Sequence, residues 1–210
     1  GEIFVEEERE ISSIYEGILR GISIGKVISS EISSYLFSKK LIKKDDPSII
    51  QQYLHNLILF GIIRRIDIFQ KKRFVYKMSS PLARIFYYAD EKYNISERKL
   101  TEQELIKIAN EIIPRIVEDN VRETFAEINN LKESIVEGRD FDIDACLIKF
   151  QKSEIALEIK WGTLSKKDIT KSEENLKRIN ARRKILFVHD KKGIKTNLEV
   201  LDVEDLIKSQ

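Results

Sequence analysis

The chain has 210 residues, 42% hydrophobic and 34% charged, enough for two small domains with buried cores. Its net charge is only +2, so any nucleic-acid surface has to come from local clusters of basic residues rather than from overall charge. The single cysteine, Cys146, excludes an intrachain disulfide and argues against a zinc cluster.

A reducing, cytoplasmic setting fits that cysteine usage. The acidic start of the chain does not read as a signal peptide, and no apolar run approaches the ~18 residues of a membrane span, so no membrane partner is expected.

In chain order, residues 11–22 place Ile11, Ile14, Tyr15, Ile18, Leu19 and Ile22 on one helical stripe, with Gly21 and Gly25 as terminators. A second helix carries Ile28, Ile32, Tyr35 and Leu36. A third is predicted after Asp46, with Pro47 at its first position, Ile50, Leu54, Leu57 and Ile58 inward, and Gly61 at its end. The runs IIRRIDIF and RFVYKM flank QKK and read as a β-hairpin with a basic tip. Ser80-Pro81 opens a fourth helix through Leu82, Ile85, Phe86 and Tyr87. The polar segment 89–100 is the predicted boundary between a domain over 1–92 and one over 93–210.

Thr101 to Glu104 has the pattern of a capping box, followed by Leu105, Ile108, Ile112 and Ile116 at helical spacing. Pro114 is expected to kink or divide this helix, and a further helical stretch holds Val121, Phe125 and Ile128. The period then changes: ESIVEG, FDIDACLIKF and EIALEIKW read as three strands, residues 163–181 as a helix, and KILFVH and LEVLD as two more strands. The second half is thus α/β, and the chain α+β overall.

Three helices and a hairpin are the order of a winged helix-turn-helix. The third helix presents Gln51, Gln52 and His55 outward, and Gln can bond bidentately to adenine edges in a major groove. The tip residues Lys71, Lys72 and Arg73 suit phosphate contacts. These six are the predicted DNA-binding residues. The competing reading is a solvated helix and a basic turn on a protein-interaction module.

Side chains two apart on a strand share a face, which pairs Asp142 with Asp144 and Glu158 with Lys160. With a turn centred near Gln151, Asp144 lies opposite Glu158 or one position from it. Directly opposed side chains have Cβ atoms about 5 Å apart, close enough for two carboxylates to share a divalent cation. Oxygen ligands suit Mg²⁺, which takes one or two protein carboxylates and keeps its waters. The same alternation is also what a half-buried strand with a surface ion pair looks like, so spacing alone leaves both readings open.

The segment DIDACLIKFQKSEIALEIKW resembles the PD-(D/E)XK nuclease superfamily, which includes restriction endonucleases and archaeal Holliday-junction resolvases. That resemblance implies a restriction-endonuclease-like α/β domain with a mixed central sheet. It makes Asp144 and Glu158 ligands of Mg²⁺ or Mn²⁺ and Lys160 the catalytic lysine. It also implies an acidic residue on the preceding helix, for which Glu123 is the candidate and Glu127 the rival. The proline of the family name is absent.

More broadly, EISSYL, YLHNLILFGIIRRIDIF, RFVYKMSSPLARIFYY and EIALEIKWG resemble the C-terminal part of a family of archaeal P-loop ATPases, a winged helix followed by a nuclease-like domain. The family often has Phe-Glu on the helix before the sheet, whereas Phe125 is followed here by Ala126. No G-x-x-x-x-G-K-[ST] occurs in the chain, so an ATPase module would act in cis or in trans.

The resulting expectation is a DNA-binding protein with a Mg²⁺-dependent nuclease-type domain. Its rivals are a nuclease fold that has lost catalysis and only grips DNA, and a regulatory or protein-interaction part of an ATPase.

Overall fold

A computed structural model describes residues 2–208. Among the described residues the chain is mixed α and β, with seven helices and eight strands. It forms two compact units, one of residues 1–66 with 74–108 and one of residues 67–73 with 109–210.

The first unit holds α1 (Glu2–Ser23), α2 (Ser29–Ser38), α3 (Gln51–Leu59), α4 (Pro81–Tyr93) and most of a hairpin, β1 (Ile63–Ile68) and β2 (Phe74–Met78). The stripe Ile14, Ile18 and Ile22 of α1 meets Ile32 and Leu36 of α2, Leu54 and Leu57 of α3, and Tyr76 of β2 in one core. Gly21 does not end α1. A Cβ there would stand 3.0 Å from the Tyr35 ring, and one at Gly17 2.5 Å from Leu41, so these glycines serve close packing. The chain turns away at Gly25, whose φ of 100° suits glycine.

α3 starts at Gln51 rather than at Pro47. The Asp46 carboxylate accepts from the Ser48 N–H at 3.0 Å and the Ser48 hydroxyl at 2.7 Å, and this Asx turn holds residues 47–50 in turns ahead of the helix. α4 opens as its sequence predicts, with the Ser80 hydroxyl accepting from the Ala83 N–H and Pro81 in the first turn.

One buried ion pair ties the ends of this unit together. Arg20 of α1 lies 2.5 Å from Asp90 of α4, which is 4% exposed. Hydrogen bonds from Ser96 and the Arg20 guanidinium hold Asp90 below the usual carboxylate range against the opposing effect of burial. A depressed carboxyl stabilises the fold fully above its ordinary pKa of about 3.9. That contribution is lost as pH falls through the lower, folded value. Asp90→Asn is expected to cost about 2–3 kcal/mol in a urea melt at neutral pH and to flatten the acid limb of the stability profile.

α5 (Glu102–Ile128) starts at the expected capping box: the Thr101 N–H donates to Glu104 at 3.0 Å, and the Glu104 N–H donates to the Thr101 hydroxyl at 3.3 Å. Pro114 does not divide it. Proline deprives the helix of one backbone donor, and burial of Ile112, Val121 and Phe125 on either side outweighs that loss.

The second unit continues with β3 (Ser134–Glu137), β4 (Asp142–Ile143), β5 (Ala145–Lys149), β6 (Lys152–Lys160), α6 (Lys166–Lys177), β7 (Arg183–Val188), β8 (Glu199–Leu201) and α7 (Val203–Lys208). The sheet β5-β6-β7-β8 is mixed: β5 and β6 are antiparallel, and β6, β7 and β8 are parallel. One face carries Leu147, Leu157, Ile159 and Phe187 against Val121 and Phe125 of α5; the other carries Cys146 and Ala156 against Leu176 of α6.

The run FDIDACLIKF, expected as one strand, is two. β4 pairs with β3 (Val136 opposite Ile143) and β5 with β6 (Ala145 opposite Leu157), and the chain changes partner at Asp144. The hairpin tip also departs from expectation. Asp67 and Ile68 pair in parallel with Ser134 and Ile135, the Phe69 N–H donates to the Ile135 carbonyl at 2.8 Å, and Lys132 lies 2.5 Å from Asp67. Among the described residues no helix is long and apolar enough to cross a membrane.

Candidate active site

Strand alternation puts Glu158 and Lys160 on the face of β6 that carries Ala156 and meets α6. The register Ala145 to Leu157 carries Asp144 to a place opposite Glu158. All three residues line a cleft of about 490 Å³, walled by the β3–β4 loop (Arg139, Asp140, Phe141) and by Asp168, Lys171 and Asn175 of α6. Gly138 makes the loop possible: its N–H donates to the Phe141 carbonyl at 2.7 Å, and a Cβ there would overlap Phe141.

The Lys160 ammonium lies 3.1 Å from Asp144 Oδ2 and 2.6 Å from Glu158 Oε2, so one cation bridges both carboxylates. The Ile159 N–H donates to Asp144 Oδ2 at 2.8 Å. Asn175 Nδ2 donates to Glu158 Oε1 at 3.0 Å. Glu158 is 2% exposed, and burial, together with the Asp144 charge, pushes its carboxyl up against the opposing pull of Lys160 and Asn175. Burial alone would lower Lys160, but Asp144 and Glu158 outweigh it and raise the group, so the lysine stands as a charged donor rather than a base.

Behind the cleft, Arg122 of α5 is fully buried. Its guanidinium reaches Asp119 at 2.5 Å, Glu133 at 3.1 Å and the Asp144 carbonyl at 3.1 Å. Arg122 therefore fixes the bend that places Asp144.

Sequence reasoning brought Asp144, Glu158 and Lys160 together, as they stand in the fold. Neither Glu123 nor Glu127 is among the residues lining the cleft; α5 covers the other face of the sheet. Sequence reasoning missed Asn175, Asp168 and Lys171. Their spacing of three and four residues along the helix after the Glu158–Lys160 strand was the available signal. It also missed Arg122, which nothing in the local pattern marks as buried.

The chemistry of the donors fits an oxygen-seeking divalent cation. Two adjacent carboxylates, one of them buried, already share a positive charge, and the cleft leaves room for the waters Mg²⁺ or Mn²⁺ retains. Among the described residues no group of three or more His, Cys, Asp or Glu could hold a metal ion, and Asp144 and Glu158 are the side chains that would hold one here.

The other predicted contacts fall in different units. Gln51, Gln52 and His55 are exposed on α3, in the first unit, with Gln51 Nε2 donating to the Pro47 carbonyl and Gln52 Nε2 to Asn56 at 2.9 Å each. Lys71, Lys72 and Arg73 are exposed at the hairpin tip and group with the second unit. Trp161, the residue after β6, packs edge-on against His189 with ring centroids 4.6 Å apart. No family model, no curated protein and no solved structure matches the chain.

Proposed function

We propose that the protein is a DNA-handling protein whose second unit is a nuclease-type domain acting on phosphodiesters with Mg²⁺ or Mn²⁺. The observation that supports this reading most is the bridging of Asp144 and Glu158 by Lys160 in an acidic cleft. Asp144 and Glu158 would hold the cation, Asn175 orients Glu158, and Lys160 would offset the charge of the scissile phosphate. When bound, such a cation would lower the pKa of a water and stabilise negative charge developing on the phosphate oxygens. Incubation of plasmid, single-stranded and branched DNA with the protein should give cleavage that needs Mg²⁺ or Mn²⁺ and stops on chelation. Cleavage indifferent to chelator argues against the assignment.

The first unit and the hairpin tip serve DNA binding in this reading, as a winged helix does. Replacing Lys71, Lys72 and Arg73 with Ala should weaken duplex binding across sequences. If each neutralises one phosphate, the log–log salt dependence should become shallower by roughly 3, at ~0.9 per contact. An unchanged slope would show that the tip does not touch phosphate.

One observation favours a second reading, a nuclease fold that only grips DNA. The Lys160 ammonium already occupies an oxygen of each carboxylate, and no α5 carboxylate lines the cleft. An ATPase module acting in cis or in trans is the partner that the resemblance to archaeal ATPases suggests.

A further inference from the structure

The turn joining β5 to β6 is built against its own backbone preference. Lys149 pairs with Lys152, and the two residues between, Phe150 and Gln151, have φ of 48° and 63°. A two-residue turn with both φ values positive favours Asn-Gly, because side chains with a Cβ rarely adopt that region. A phenylalanine is among the least suited residues there, and this one is 88% exposed, so it buries nothing in return. Strain held at an exposed aromatic points to a contact made outside the chain.

The surroundings say what kind of contact. Gln151 and Lys152 line a cleft of about 680 Å³ together with Gln70, Arg178 and Arg182. The one carboxylate in its lining, Glu154, is paired with Arg182 at 3.3 Å. Gln70 leads directly into the exposed Lys71, Lys72 and Arg73, which belong to the same unit. Lys149 lies 6.0 Å from the Phe150 ring centroid. Phe150 itself stands outside the lining of the cleft, on the turn that leads into it. An exposed aromatic plane next to a basic cleft supplies what a single strand of nucleic acid needs, charge for its phosphates and a face for an unpaired base.

We propose that the β5–β6 turn and this basic cleft form a docking surface for single-stranded nucleic acid, with an unpaired base stacked on Phe150. The inference rests on the DNA-handling reading and names the form of DNA recognised. The surface lies at the start of β6, whereas Glu158 and Lys160 lie at its end, ~25 Å away at ~3.3 Å per residue. A junction or flap with a free strand would reach both.

The test is fluorescence anisotropy on the full chain with labelled oligothymidine and with a blunt duplex, for wild type, Phe150→Asn and Phe150→Tyr. Asn suits the turn, so Phe150→Asn should melt no lower than wild type while binding oligothymidine roughly tenfold more weakly. Duplex affinity should not change, and Phe150→Tyr should restore oligothymidine binding. Equal losses on both ligands, or undiminished oligothymidine binding by Phe150→Asn, overturn the proposal. If duplex binding still depends on Lys71, Lys72 and Arg73 in that case, the DNA-handling reading survives it. A wild type that binds neither ligand overturns both.

Discussion

Lys160→Ala is expected to lower DNA cleavage by on the order of 10²–10³ while tightening the binding of divalent cations. The first effect follows from charge. In the proposed reaction the ammonium would stand beside the scissile phosphate as a fixed electrostatic donor, and removing one such donor commonly costs that much. The second follows from geometry. The ammonium sits 3.1 Å from Asp144 and 2.6 Å from Glu158, on the same oxygens an incoming cation would use. In the wild type the cation has to displace the lysine; in Lys160→Ala the two carboxylates face each other uncompensated, with Glu158 buried. The metal-free variant should melt below wild type, and Mn²⁺ should raise its melting temperature by more. Equal cleavage by both proteins would place the chemistry elsewhere.

Arg122→Met is expected to be the most destabilising single change, at about 3–5 kcal/mol. Methionine fills much of the space, so the cost is electrostatic: Asp119, itself 5% exposed, and Glu133 lose the Arg122 guanidinium, and the Asp144 carbonyl loses the hydrogen bond from Arg122. Urea melts should show it as a lower midpoint with an unchanged slope. The double variant Arg122→Met with Asp119→Leu should recover part of the loss, because the buried charge left behind is gone. A loss below about 1 kcal/mol would mean that Arg122 does not hold the Asp144 bend.

Much of this architecture is legible in the sequence where a short-range signal exists. The Ile14–Ile18–Ile22 stripe, the Thr101–Glu104 capping box and the alternation through Glu158 and Lys160 each follow from one helical or strand period, and each stands in the fold. What was illegible depends on contacts between distant segments. Gly21 reads as a terminator until Tyr35 is known to lie against it. The run through Asp144 reads as one strand because alternation continues across the bend; only the pairing of Ile143 with Val136 and of Ala145 with Leu157 divides it. Asp67 and Ile68 carry no mark that they will pair with Ser134 and Ile135. In the candidate site the three residues on adjacent strands were readable by register. Asn175 comes from the helix after β6, where only the Asp168–Lys171–Asn175 spacing marks a shared face, and Arg122 from the opposite face of the sheet, where spacing is silent.

In the proposed function Asp144 and Glu158 form a divalent-cation site. The most direct measurement is a thermal melt of wild type and Glu158→Gln with and without Mn²⁺. At a hundredfold excess over Kd, linkage contributes about 2.7 kcal/mol. For a chain of 210 residues melting as one, that is roughly 5–10 °C. Glu158→Gln keeps the shape and removes the charge, so that shift is expected in wild type and its loss in the variant. A wild type whose melting temperature does not respond to Mn²⁺, or a variant that responds equally, would contradict it.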